Sequence, residues 1–131
     1  MRQKHVLTDA DAERIIAAAR KFADARQWRV TIAVVDEGGY LLRLERMDGA
    51  SLQSPQVATM KASTAALSRF PTKRMEDLVK ERPGMLRFPD RLPIQGGLPI
   101  MHEGECVGGI GVSGVQSHED EEIAAAGAAA L

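Results

Sequence analysis

Cysteine and aromatic side chains are scarce in this chain: one Cys, one Trp, one Tyr and three Phe among 131 residues. A lone cysteine excludes an internal disulfide. The place of Cys106 in an apolar run reads as a small buried hydrophobe rather than a nucleophile. An excess of one charge is also missing, because 17 basic residues are scattered among 18 acidic ones for a net charge of −1. Nucleic acid is therefore not an expected partner. Long apolar runs are absent too. The uncharged "IAAAGAAAL" near the C-terminus falls short of the roughly 20 residues that span a bilayer, and charges interrupt any signal-like segment near Met1. These absences lead to the expectation of a cytoplasmic protein with no membrane partner.

What is present is patterned for one α+β domain over residues 1–131, long enough to bury a core without staples. Thr8 and Asp11 form a capping-box-like start, after which Ala12, Ile15, Ile16, Ala19, Phe22 and Ala23 repeat at helical spacing. "WRVTIAVVDEGGYLLRLERMDG" predicts a hairpin turning at Glu37-Gly38-Gly39, with Asp36 as a turn residue and an apolar first strand covered on both faces. Ser54 followed by Pro55 predicts the start of a second helix, and its face of Ala58, Ala62, Ala65 and Ala66 is unusually small. Thr72 is expected to cap a short third helix through Val79. Pro- and Gly-rich "ERPGMLRFPDRLPIQGG" predicts a long irregular loop. A second hairpin turns at Glu103-Gly104, and Ser117 with Asp120 predicts the cap of a last helix. Hairpins separated by helices imply an antiparallel sheet of four or five strands with helices packed on it.

Within the second hairpin, "GGIGVSG" places Gly109, Gly111 and Gly114 at the G-x-G-x-x-G spacing of dinucleotide sites. That chemistry needs a helix opening on the motif and a further parallel strand with an acidic residue ~20 positions on. The residues after Gly114 form one helix and leave no room for the strand. No nicotinamide or flavin dinucleotide is expected, and the glycines read instead as a strand that another backbone approaches closely.

The blocks "AVVDEGGYLLRLERMDGA", "KASTAA", "FPT", "GGLPI", "GECVGGIGVSG" and "EDEEIAAAG", in that order, resemble the GlcG/HbpS family, which includes the C-terminal domain of the cobalamin adenosyltransferase PduO. The resemblance runs from about Thr8 to the end of the chain. It implies a profilin-like fold, with a five-stranded antiparallel sheet sandwiched by α-helices, and commonly a homo-oligomer. It implies haem, another tetrapyrrole such as cobalamin, or a small organic metabolite as ligand. The chain departs from haem-binding relatives in its short N-terminal segment, where His5 is the only histidine ahead of the first helix.

Candidate ligand residues follow from the blocks and their chemistry. Lys61 matches the lysine of the family's K-A-x-T-A block and can meet a carboxylate-bearing ligand; its alternative is a lysine that snorkels to the surface. Arg46 offers a bidentate fork, while Asp48 reads as an Asp-Gly turn. Gly96 and Gly97 can expose N–H groups to an anion or serve a backbone bend. Ser113 and Asp120 can flank the same pocket, against the plainer readings of a loop contact and a capping acid. His5, His102 and His118 are too dispersed for a spacing-defined metal motif, so no metal site is expected. His102 reads as solvated, and His5 and His118 stay open as axial haem ligands, as do several of the six methionines. Two functions emerge: a homo-oligomeric small-ligand or tetrapyrrole binder, or a lyase, isomerase or hydrolase without an organic cofactor in which Lys61 and Arg46 orient an anionic or aromatic substrate. Small faces on the second and last helices, beyond the needs of one sheet, point to the homo-oligomer.

Overall fold

A computed structural model describes residues 1–131. In chain order the elements are α1 (Asp9–Ala25), β1 (Thr31–Asp36), β2 (Leu41–Arg46), α2 (Ser54–Ser68), α3 (Thr72–Glu81), a 3-10 turn (Pro83–Arg87), β3 (Gly97–His102), β4 (Glu105–Ser113) and α4 (Ser117–Ala128). The sheet has four strands in the order β2-β1-β4-β3. Every neighbouring pair is antiparallel. The family's implied fifth strand is not found, and composition explains why. Residues 88–96 carry Pro89 and Pro93, which lack ladder donors. Residues 1–7 belong to no helix or strand and make no backbone hydrogen bonds.

The apolar first strand is central and covered on both faces, as its sequence predicts. Ile32 and Val34 enter the larger core, with Ile15, Ile16 and Ala19 of α1, Ile110 and Val112 of β4, and Ile123 and Ala124 of α4. Ala33 and Val35 point the other way, to Ala58, Ala62 and Ala66 of α2. Alternation of this kind follows from the two-residue period of a strand, and it puts α1 and α4 on one face and α2 on the other.

The glycine strand answers the question its motif raises. A methyl group at Gly109 would collide with the Ala62 carbonyl oxygen, and one at Gly111 with the Ala58 carbonyl. Gly97, paired with Gly111 across β3 and β4, meets the Lys61 carbonyl in the same way. The approaching backbone is therefore α2. Small residues are required on both sides of this contact, which accounts for the alanine face of α2. Ala58, Ala62, Ala65 and Ala66 are all buried within the chain. These four alanines are taken up by the fold itself, while Met60 and Leu67 of the same helix stay exposed.

Three of the four helix starts differ from expectation by one residue, and α3 runs two residues past Val79 to Glu81. Thr8 caps α1 as predicted, its hydroxyl accepting from the Asp11 N–H at 3.2 Å. The helix-start residues elsewhere are Gln53, Pro71 and Gln116 rather than Ser54, Thr72 and Ser117. Two of the displaced side chains do other work. Ser54 Oγ shares a buried hydrogen bond of 2.8 Å with Thr31 Oγ1, and Thr72 Oγ1 accepts from the Gly97 N–H at 2.9 Å. Each exchanges a local cap for a contact between a helix and the sheet.

Gly111→Ala should destabilise the chain by about 1–3 kcal/mol or more, because α2 must lift from β4. Gly84→Ala, where an added methyl meets nothing within 4 Å, should stay within about ±0.5 kcal/mol. Urea unfolding of both variants checks the contrast.

Candidate functional site

The structure brings together four of the six residues expected at a ligand pocket, Lys61, Gly96, Gly97 and Asp120, and closes them on one another. Lys61 is 2 % exposed and Asp120 is 2 % exposed. The Lys61 ammonium donates to Asp120 Oδ2 at 3.1 Å and to the Val112 carbonyl at 3.0 Å. Asp120 Oδ1 accepts from the Val115 N–H at 3.1 Å. Burial pushes the Asp120 carboxyl above its ordinary value, while the Lys61 ammonium and the Val115 N–H pull it down. Lys61 therefore neither snorkels nor faces open space. Asp120 is not the capping acid of α4; Glu119 is, holding the Gln116 N–H at 3.1 Å. The cluster ties α2, β4 and α4 together.

The glycines belong to the same joint. Gly96 takes φ +131°, a conformation that L side chains rarely adopt, and a methyl there would sit 2.7 Å from Lys61 Nζ. The Gly97 N–H is already held by Thr72 Oγ1, so the pair does not present the anion-binding nest considered from sequence. Ser113 lies at the end of β4, opposite Thr31. Arg46 is not part of the cluster: it is exposed at the end of edge strand β2. Asp48 occupies the turn predicted for it, with Gly49 at φ +89°. Asp36 organises the first hairpin, its Oδ1 accepting from Gly38 at 2.9 Å and Tyr40 at 3.0 Å.

A pocket lies on the other side of the molecule. A cavity of about 240 Å³ opens between the N-terminal arm, α1, the β3–β4 hairpin and the C-terminus, with His5, Leu7, Arg14, His102, Val107 and Leu131 in its lining. Leu7 is buried in the larger core and anchors the arm. Arg2 pairs with Glu105 at 3.8 Å and Lys4 pairs with Glu37. These three attachments hold His5 over His102, where the two rings meet edge-on with centroids 4.6 Å apart. Arg14 is oriented by Asp11 Oδ1 at 3.0 Å and by the Ala130 carbonyl at 3.1 Å, leaving guanidinium N–H groups for a further acceptor. Hydrogen bonds from the Thr8 N–H and hydroxyl, and then Arg14, hold the Asp11 carboxyl below its ordinary value.

A larger groove of about 460 Å³ between α1 and β2 is lined by Arg20, Arg43, Glu13 and Glu45 among others. Its charges neutralise each other, as in Arg20 to Glu45 at 2.8 Å and Arg43 to Glu13 at 3.7 Å. The arm pocket is the stronger candidate because it joins apolar walls to a few convergent polar groups. His102 was read from sequence as solvated, and its approach to His5 is a purely tertiary event with no local signal. His118 is exposed on α4 and lies outside the lining. Burial raises the Cys106 thiol, in keeping with an unreactive cysteine.

Comparison with known proteins agrees on one family. A family model described as "Haem degrading protein HbpS-like" matches residues 7–129. Protein GlcG of Escherichia coli strain K12 is 39% identical over 114 residues, covering 86% of this chain and 85% of that protein. The crystal structure of a double mutant of Streptomyces reticuli HbpS superposes with TM-score 0.94 at 37% identity, covering 100% of this chain and 90% of that one. The crystal structure of a PduOC:heme complex superposes with TM-score 0.88 at 27% identity, covering 97% of this chain and 96% of that one. No helix of this chain is long and apolar enough to cross a membrane.

Lys61→Met and Asp120→Asn should each destabilise the fold by about 3–5 kcal/mol, because each strands a buried partner. The double variant should lose clearly less than the sum of the two. A double-mutant cycle by urea unfolding measures this, and additive losses would contradict the pairing.

Proposed function

The chain belongs to the HbpS-like family, and from that premise we propose that it is a haem-binding protein whose ligand site is the arm pocket. The observation that carries this reading is the convergence of His5 and His102 over apolar walls. Imidazole is a common axial ligand of haem iron. Leu7, Val107 and Leu131 suit the face of a macrocycle, and the unused N–H groups of Arg14 suit a propionate. The fit is partial in one respect. A volume of about 240 Å³ lies below the ~300–1,000 Å³ usual for ligand pockets, so only part of a tetrapyrrole enters. The solved relative in complex with heme supports haem ahead of cobalamin.

The remainder of the macrocycle is covered by a second copy in this reading. Val6 and Leu131 of the pocket lining and Met101 next to His102 are exposed apolar side chains, and their burial by a second copy would support a homo-oligomer. The rival reading, an enzyme in which Lys61 and Arg46 orient a small substrate, has less to support it. Lys61 is committed to Asp120, and Arg46 lies apart from it.

Haemin titration tests the proposal. The parent should develop a saturable Soret band, and His5→Ala or His102→Ala should weaken binding about tenfold or more while His118→Ala leaves it unchanged, as loss of ~1.4 kcal/mol or more requires. Retention of the parent's band and affinity in both pocket variants would remove the site. Light scattering should give a mass above the 14.2 kDa of one chain.

A further inference from the structure

Beside the pocket mouth, His5 and His102 are joined by a third potential donor, Glu103. The ligand atoms of the three all lie within 4.8 Å of one another. His102 Nε2 and Glu103 Oε1 are 3.9 Å apart. We propose that His5, His102 and Glu103 form a binding site for a divalent first-row transition-metal ion such as Zn²⁺, separate in kind from tetrapyrrole binding although it draws on the same imidazoles.

Geometry makes the site attainable. Tetrahedral Zn²⁺ with Zn–N near 2.0–2.1 Å needs ligand atoms roughly 3.3 Å apart. The required contraction is a matter of side-chain rotation, since His5 and Glu103 are exposed and His102 is half-buried. Two imidazoles and one carboxylate leave a fourth position for water, the ligand set of open zinc sites. The nitrogen-rich set disfavours Mg²⁺ and Ca²⁺, which prefer oxygen.

The surroundings favour a cation as well. The nearby cations of the arm are engaged elsewhere, Arg2 with Glu105 and Lys4 with Glu37. Arg14, in the pocket beside the histidines, is paired with Asp11. Glu103 also occupies a position that its local backbone does not favour. It adopts φ +49° and Gly104 φ +80° in the two-residue turn, a conformation usually filled by Asn-Gly or Asp-Gly. That turn projects a carboxylate next to His102.

Zinc titration of the full chain carrying no histidine tag, by calorimetry with ZnCl₂ alone, tests the site. The parent should bind one Zn²⁺ per chain, and His5→Ala, His102→Ala and Glu103→Gln should each weaken binding, by about tenfold or more for the histidines. His118→Ala should match the parent. Imidazole resonances of His5 and His102 should shift together on zinc addition while those of His118 stay in place. Equal affinity in the parent and a His5→Ala/His102→Ala double variant would overturn the proposal, as would zinc-induced shifts at His118 alone. Zinc binding requires no haem, so a chain that ignores haemin and binds zinc would fail only the haem reading.

Discussion

Helix α2 rests with its backbone directly on the glycines of β4, and this contact fixes how the helix, the sheet and the Lys61 cluster meet. Gly109 and Gly111 bring the carbonyls of Ala62 and Ala58 against the sheet. Close packing leaves no layer of side chains between helix and strands in this region. It also carries Lys61 down beside the end of β4, too deep to reach water. A buried ammonium needs a counter-charge and acceptors, and Asp120 with the Val112 carbonyl supplies both. The motif that looks like a cofactor loop thus serves close packing, and the lysine that looks like a ligand residue is paired within the chain.

The opposite side is built differently. Its pocket has one wall made by an arm without backbone hydrogen bonds, held by the buried Leu7 and by ion pairs at Arg2 and Lys4. Ion pairs of this exposure contribute only ~0–1 kcal/mol each. The arm is consequently tied to the frame by few interactions. The same weakness makes the placement of His5 adjustable, whereas His102 is fixed by the β3–β4 hairpin.

Most of the fold was legible because its signals are local. The helical repeat from Ala12 to Ala23, the Gly38-Gly39 and Glu103-Gly104 turns, and the apolar run of β1 each contain their own instruction. Ser54, Thr72 and Ser117 show where local reading stops: each suits a helix cap, yet Ser54 and Thr72 bond across to the sheet side instead. The site was legible only in part. Lys61 is legible as a partner for a carboxylate or a surface lysine, and Asp120 as a pocket neighbour or a capping acid, but their pairing depends on α2 and α4 meeting around β4. His5 and His102 lie at opposite ends of the chain, and nothing near either residue announces the other. The closeness of α2 was visible in the spacing of the glycines, although its identity as the approaching backbone was not.

The central claim is that ligands bind on the arm side and that the glycine side is structural. Mapping amide shifts in ¹⁵N-labelled protein on addition of gallium protoporphyrin IX, a diamagnetic stand-in for haem, tests it most directly. The predicted result is a cluster of perturbed amides at His5, Leu7, Arg14, His102, Val107 and Leu131. Perturbation centred on Lys61, Gly96 and Gly97, with the arm unchanged, would contradict it.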